Sequence, residues 1–343
     1  MAHSPFQSNP PVTIASKLKV IGTKIPTLDK VVPWRSQLGV DTAIPGCLDQ
    51  SALVSVTLTR HHHPMHRQYF NLQHNPFTTS PDPTYFYLAP SHAESVAKCE
   101  YAIRNKSGLA VVYGDVGMGK TTILNMLRKR FDQAAYTLAV LNYTNQTSDT
   151  ALLKAIATEF GLTPPRTKQG TLDQLQDFLA REVVEGRTPL LLVDEAQELN
   201  NSLRPDRDML GMIKTLTNLM LEHERLVQII LFGQLELIPL LKQRRELMSR
   251  VAQFGVLSPL TQEDARAMME HRWQTAGGTP PLPFENEAFE IIYEHTKGLP
   301  RDLVKVSNSA LTHAFANRLD KATAESARYA VREHHLIEEN HVE

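Results

Sequence analysis

The chain has 343 residues, a formal net charge of −1, 42% apolar and 21% charged residues; that is room for a sizeable core and the composition of an ordinary soluble globular protein. No run nears the roughly 18 consecutive apolar residues of a membrane span, no signal-like apolar block opens the chain, and Cys47 and Cys99 supply neither a disulfide framework nor metal-ligand spacing. A reducing, cytoplasmic setting is expected, and the near-zero charge argues against a strong nonspecific nucleic-acid binder.

Residues 1–66 read as a leader, disordered or loosely attached. Prolines at 5, 10, 11, 26, 33, 45 and 64 interrupt any long helix. His61-His62-His63 has no carboxylate or cysteine at ligand spacing, and consecutive side chains diverge, so it makes a poor metal site. From Phe70 the texture changes. Asn75-Pro76-Phe77 and Pro81-Asp82-Pro83 are turns, and Tyr85-Phe86-Tyr87-Leu88 is an aromatic cluster that either packs a core or flanks a base. Ser91 with Glu94 reads as a capping box for a helix over 92–105. Together these predict an N-terminal collar folded against the domain that follows.

Leu109 to Tyr113 is a buried parallel strand, and Ile123, Met126, Leu127 and Phe131 recur at helical spacing. Between them stands Gly114-Asp115-Val116-Gly117-Met118-Gly119-Lys120-Thr121, followed by Thr122, which fits G-x-x-x-x-G-K-[ST]. Such a loop aims backbone N–H groups and a helix N-terminus at one anion. Its glycines allow close approach. Lys120 can reach β- and γ-phosphates, and the Thr121 hydroxyl can ligate Mg²⁺.

Thr137 to Leu141 is a second strand; helices follow over 151–160, capped at Asp149 or Thr150, and over 172–184. Pro189 to Val193 is a third strand that delivers Asp194 and Glu195. After a phosphate loop, Asp194 reads as a metal holder and Glu195 as the general base for attacking water. A helix over 208–222 precedes a fourth strand, Val227 to Leu231, which delivers Gln234; that side chain either senses the γ-phosphate beside the carboxylates or caps a helix. Leu235 to Met248 is helical and Phe254 to Leu257 a last strand. Arg250, with Arg244 and Arg245 as rivals, is a candidate arginine finger for a neighbouring subunit's nucleotide. The basic runs Arg128-Lys129-Arg130 and Lys242 to Arg245 read as solvated helix faces.

From Thr261 the pattern is helical, over 263–276, 285–296, 302–316 and 321–335. Arg301 follows a Gly-x-Pro turn at a helix start, where a cation is unfavourable to the helix dipole. That placement suggests a functional arginine that swings onto the nucleotide. The expected domains are 67–258 for the nucleotide domain with its collar, 259–335 for a helical lid, and 336–343 for a tail.

Taken together, the phosphate loop, Leu192-Val193-Asp194-Glu195-Ala196-Gln197, Phe232-Gly233-Gln234, Ser249-Arg250 and Gly298 to Arg301 resemble an AAA+ ATPase. More narrowly they are similar to the ExeA/GspA type, with Asn75-Pro76-Phe77, Pro81-Asp82-Pro83, the aromatic cluster and Ser91-His92 extending the match over roughly 69–330. The resemblance implies a RecA-like α/β fold: a parallel sheet in the order 5-1-4-3-2 with helices on both faces, then a small all-α lid. It also implies ATP and Mg²⁺ bound at the subunit interfaces of a homo-oligomeric ring or filament. Secretion-type members continue past the lid into a membrane helix; this chain ends at Glu343 and carries an unlike leader. Those departures favour soluble relatives similar to TnsC/TniB-type transposition ATPases, with duplex DNA and a transposase as partners. The alternatives are a secretion-assembly ATPase with a separate membrane partner, and an ATP-binding scaffold with little turnover.

Overall fold

A computed structural model describes residues 65–79, 82–132, 134–142, 147–200 and 208–339. The leader as far as residue 64, with its histidine run, and residues 340–343 of the expected tail lie outside the described residues. In chain order the elements are α1 (Met65–Tyr69), α2 (Pro90–Arg104), β1 (Leu109–Tyr113), α3 (Lys120–Arg130), β2 (Tyr136–Leu141), α4 (Asp149–Glu159), α5 (Lys168–Val184) and β3 (Thr188–Val193). Then come α6 (Met209–Thr217), β4 (Met220–Leu221), β5 (Glu224–Arg225), β6 (Gln228–Gly233), α7 (Leu237–Gln243), α8 (Arg245–Met248) and β7 (Val251–Val256). Four helices close the chain: α9 (Gln262–Thr275), α10 (Asn286–Thr296), α11 (Pro300–Ala316) and α12 (Ala324–Glu339).

Five strands pair in parallel in the order β2-β3-β6-β1-β7, while β4 and β5 form a separate antiparallel ribbon. Counting the sheet's own strands alone makes this 2-3-4-1-5, which is 5-1-4-3-2 taken from the other edge. Parallel pairing requires helical crossovers, so both faces are covered and the central strands become apolar throughout. Alternation sends Leu109, Val111, Leu191 and Val193 into one apolar cluster with α4 to α7, and Ala110, Val112, Leu190 and Leu192 into the other with α2 and α3. Each fully buried leucine or isoleucine contributes about 1.5–3 kcal/mol, which makes these faces the rigid platform for the strand ends.

A third cluster holds α9 to α12 together through Trp273, Phe289, Ile292, Leu303 and Leu311. Leu72, Phe77, Tyr85 and Ala89 of the collar belong to this helical cluster. The collar thus divides: its helix α2 and Phe86 pack on the sheet-side cluster as expected, while the stretch from Leu72 to Ala89 otherwise joins the helical domain. Long-range aromatic contacts explain the difference: Phe70 meets Trp273 and Phe77 meets Phe284, both edge-on.

Several boundaries also move. α2 starts at Pro90, whose missing N–H suits the first helical position, so Ser91 is not the cap and Glu94 instead pairs with Lys98. α6 stops at Thr217, and the chain passes through Asn218 into the ribbon, whose turn holds Glu222 at φ 54°. The helical run after Leu235 is broken at Arg244. α12 continues through Glu339, past the start of the expected tail.

Candidate active site

The three central strands end side by side. Tyr113 is level with Gly233, and Val193 with Leu231, so β1, β3 and β6 deliver Gly114, Asp194 and Gln234 to one edge of the sheet. The phosphate loop leaves β1 there. Gly117 and Gly119 adopt φ of 80° and 90°, conformations open to glycine, and Gly119 sits at the N-terminus of α3 in the left-handed region. The loop closes on Lys120, whose Nζ donates to the Gly114 carbonyl at 2.9 Å and to the Asp115 carbonyl at 2.8 Å. Burial lowers the Lys120 pKa, against the pull of Glu195, Asp194 and Asp115, which favour the charged form.

The two motifs, far apart in sequence, meet directly. Thr121 Oγ1 donates to Asp194 Oδ2 at 2.8 Å, and Asp194 Oδ1 accepts the Glu195 backbone N–H at 3.0 Å. Asp194 is buried, and loss of solvent raises its pKa while the Thr121 hydroxyl opposes the rise. Glu195 has φ 49°, a left-handed conformation that costs a non-glycine residue about 1–2 kcal/mol. Strain of this kind concentrates at functional sites. Here it turns the Glu195 carboxylate toward two glutamines: Gln197 Nε2 donates to Oε2 at 2.6 Å and Gln234 Nε2 to the same oxygen at 3.3 Å. Gln197 Oε1 accepts the Gln234 backbone N–H at 2.9 Å, which ties the end of β3 to the end of β6. Gln197 was invisible as a site residue in the sequence; its signal is its place two residues after Glu195.

A cleft of about 300 Å³ lies over the loop. Val116, Gly117, Met118, Gly119, Lys120, Thr121, Thr122, Glu195, Gln234 and Arg301 all border it. Arg301, in the first turn of α11, is so close that a Cβ built on Gly117 lies 2.7 Å from the Arg301 Cβ. Its approach is fixed by Gly298, at φ 77° and packed on the Leu260 backbone, where the Leu260 N–H donates to the Gly298 carbonyl at 2.9 Å.

The cleft is also bordered by residues that periodicity could not assign: Phe86 and Tyr87 of the collar, and Met268 and Val304 of the helical domain. His92 is buried, and its Nε2 lies 2.8 Å from the Met118 carbonyl, which makes Nε2 the protonated nitrogen. Its ring stands edge-on to Phe86, and desolvation lowers its pKa.

The structure does not bring Arg250 to this site. It precedes β7, whose first residue is level with Leu109, so it sits at the opposite end of the sheet from the loop. Arg244 is engaged with Asp208 Oδ2 at 2.6 Å, and Arg245 is exposed at the start of α8. Magnesium fits the donor set at the loop. Thr121 and Asp194 offer hard oxygens 2.8 Å apart, the small protein contribution expected of an ion that also takes phosphate and water.

A parallel sheet with a phosphate loop after its first strand, an acidic pair beside that loop and a helical domain over the cleft defines an ATP-hydrolysing protein. The profile described as an AAA domain matches residues 103–241, so the chain carries an AAA+ ATPase domain there. It is similar to general secretion pathway protein A of Aeromonas hydrophila, with 33% identity over 258 residues, 74% of this chain and 45% of that protein. The chain therefore spans about half the length of this relative.

Among solved structures it is similar to the Aeropyrum pernix ORC1 protein in complex with DNA: TM-score 0.57, 17% identity, 76% of this chain and 69% of that one. The Aeropyrum pernix ORC2 protein in its ADPNP-ADP complexes gives a TM-score of 0.54 at 20% identity, over 76% and 72% of the two chains. Drosophila ORC bound to DNA gives 0.54 at 16%, over 84% and 70%. At such identities the likeness is one of fold. Among the described residues no helix is long and apolar enough to cross a membrane.

Proposed function

We propose that this ATPase is an oligomeric switch: ATP binding drives assembly into a ring or filament, hydrolysis resets it, and the assembled form regulates transposition or another transaction on duplex DNA. The observation that carries the ATP chemistry is the 2.8 Å hydrogen bond joining Thr121 to Asp194, with Glu195 and Gln234 alongside. In this reading the loop from Gly114 to Thr122 cradles the phosphates, and Lys120 exchanges its two carbonyl partners for phosphate oxygens. Thr121 and Asp194 hold the magnesium ion. That ion neutralises charge on the phosphate oxygens when bound. Glu195 takes the proton of a water as its oxygen bonds to the γ-phosphorus, and the bond to the β-phosphate oxygen breaks to leave ADP. Gln234 and Gln197 orient the Glu195 carboxylate for that transfer, and Arg301 contacts the phosphates from the lid.

Arg250 is the finger that reaches a neighbouring subunit's nucleotide, a role its distance from its own loop favours. The setting is cytoplasmic. Duplex DNA that stimulates ATP turnover supports this pathway; turnover indifferent to DNA contradicts it.

A second reading has an observation of its own, the relative of 33% identity named for general secretion. There the chain acts on assembly of a secretion apparatus with a separate membrane partner, and turnover responds to that partner and not to DNA. In either case Lys120→Ala abolishes ATP binding.

A further inference from the structure

Two separate stretches of chain build the helical domain: the collar before α2, and α9 to α12. Beside their shared apolar cluster, one side chain makes three hydrogen bonds between them. Arg272, in the last turn of α9, donates from Nε to the Pro76 carbonyl at 2.8 Å, from Nη2 to the Thr78 carbonyl at 2.6 Å and from Nη1 to the Tyr85 carbonyl at 3.2 Å. Its guanidinium also stands 5.3 Å from the centre of the Tyr85 ring. Burial pushes the Arg272 pKa down to about 10. The three carbonyls belong to residues across the collar loop, and only the rigid fork of a guanidinium can serve all three at once. The Tyr87 hydroxyl adds a bond to Asp264 Oδ1 at 3.3 Å, and the Gln73 N–H one to the Ala276 carbonyl at 2.8 Å.

This collar is also a wall of the nucleotide cleft. Thr78, Phe86 and Tyr87 border it from the collar, and Met268, Arg301 and Val304 from the lid. We propose that Arg272 is a positioning residue for the nucleotide: it fixes the collar to the lid, so that the collar residues of the cleft are held in place for the nucleoside part of the ligand, while Arg301 keeps its own anchor at Gly298 and Leu260. This rests on the nucleotide reading of the cleft. The phosphate loop itself is anchored in the sheet, so phosphate binding by the loop is independent of Arg272.

The test compares ATP with inorganic tripolyphosphate, titrated in the presence of magnesium into wild type, Arg272→Met, Arg272→Lys and Lys120→Ala. Arg272→Met keeps the bulk and removes every donor. It is expected to weaken ATP about tenfold or more, the scale of one lost charge-assisted hydrogen bond, while tripolyphosphate stays within about twofold. Arg272→Lys, able to serve one carbonyl at a time, is expected in between. An ATP affinity within about twofold of wild type, with a lowered melting temperature, overturns the proposal and leaves Arg272 a structural clamp. If Arg272→Met no longer melts cooperatively, Arg272→Lys decides by the same criterion. Lys120→Ala separates the two levels of the argument: it loses both ligands if the cleft is the nucleotide site, and leaving both unchanged removes that reading altogether.

Discussion

Gly117→Ala puts the contact between the phosphate loop and the lid under direct strain. At φ 80° an alanine costs about 1–2 kcal/mol. Its Cβ falls 2.7 Å from the Arg301 Cβ, where carbon atoms ordinarily approach no closer than about 3.5 Å. About 1 Å must come from the loop or from the first turn of α11, and either movement carries Arg301 away from the phosphates. A charge-assisted hydrogen bond contributes about 1.5–3 kcal/mol, so its loss weakens ATP about 10- to 150-fold. Equilibrium titration of ATP into Gly117→Ala, Arg301→Ala and the double variant forms a closed cycle. If the alanine acts through Arg301, the double variant binds little worse than Gly117→Ala alone. Penalties that add in full, or an Arg301→Ala that binds like wild type, would refute the reasoning.

Arg250→Ala should keep ATP binding and lose hydrolysis; mixing it with Lys120→Ala subunits should restore turnover, because each supplies what the other lacks, and a mixture as dead as its parts removes the finger from Arg250. Gly298→Ala places a methyl group against the Leu260 carbonyl at φ 77°. It should cost about 2–4 kcal/mol through backbone strain and a lost hydrogen bond; a denaturant midpoint unmoved by the change counts against the turn geometry. His92 has a pKa lowered by burial from its ordinary 6.5. Its contribution to stability is therefore complete above about pH 6.5 and lost as pH falls through the lowered value. Denaturant midpoints measured across that range should show the slope in wild type and lose it in His92→Gln, and an identical slope in both assigns the dependence elsewhere.

The chemistry of the loop and the acidic pair was legible because it is written in contiguous residues: a glycine pattern between a strand and a helix, and two carboxylates at the end of an apolar run. The sheet's strands were equally plain, since burial on both faces leaves Leu190 to Val193 and Ile229 to Phe232 without a polar interruption. The collar's side of the cleft was legible only as the aromatic cluster at 85–88, with core packing and a base flank as alternatives. Phe86, His92 and Arg272 owe their positions to contacts with residues far away in sequence, such as the bond from Arg272 to Pro76, and no periodicity reports on these. Local rules also competed. The Ser91 and Glu94 pattern was a fair capping box, but Pro90 already supplied a helix start that needs no cap. The α6 pattern ran on to residue 222 because Leu219 and Met220 kept helical spacing, while the backbone had already left the helix at Asn218 for the ribbon.

The central claim is a place: triphosphate held by the loop at 114–121, with the metal between the Thr121 hydroxyl and the Asp194 carboxylate. A structure of the protein with magnesium and a non-hydrolysable ATP analogue tests it most directly. The account predicts the γ-phosphate within hydrogen-bond reach of Lys120 Nζ and the base between Phe86 and Val304. A nucleotide bound elsewhere, or a metal held away from Thr121 and Asp194, contradicts it.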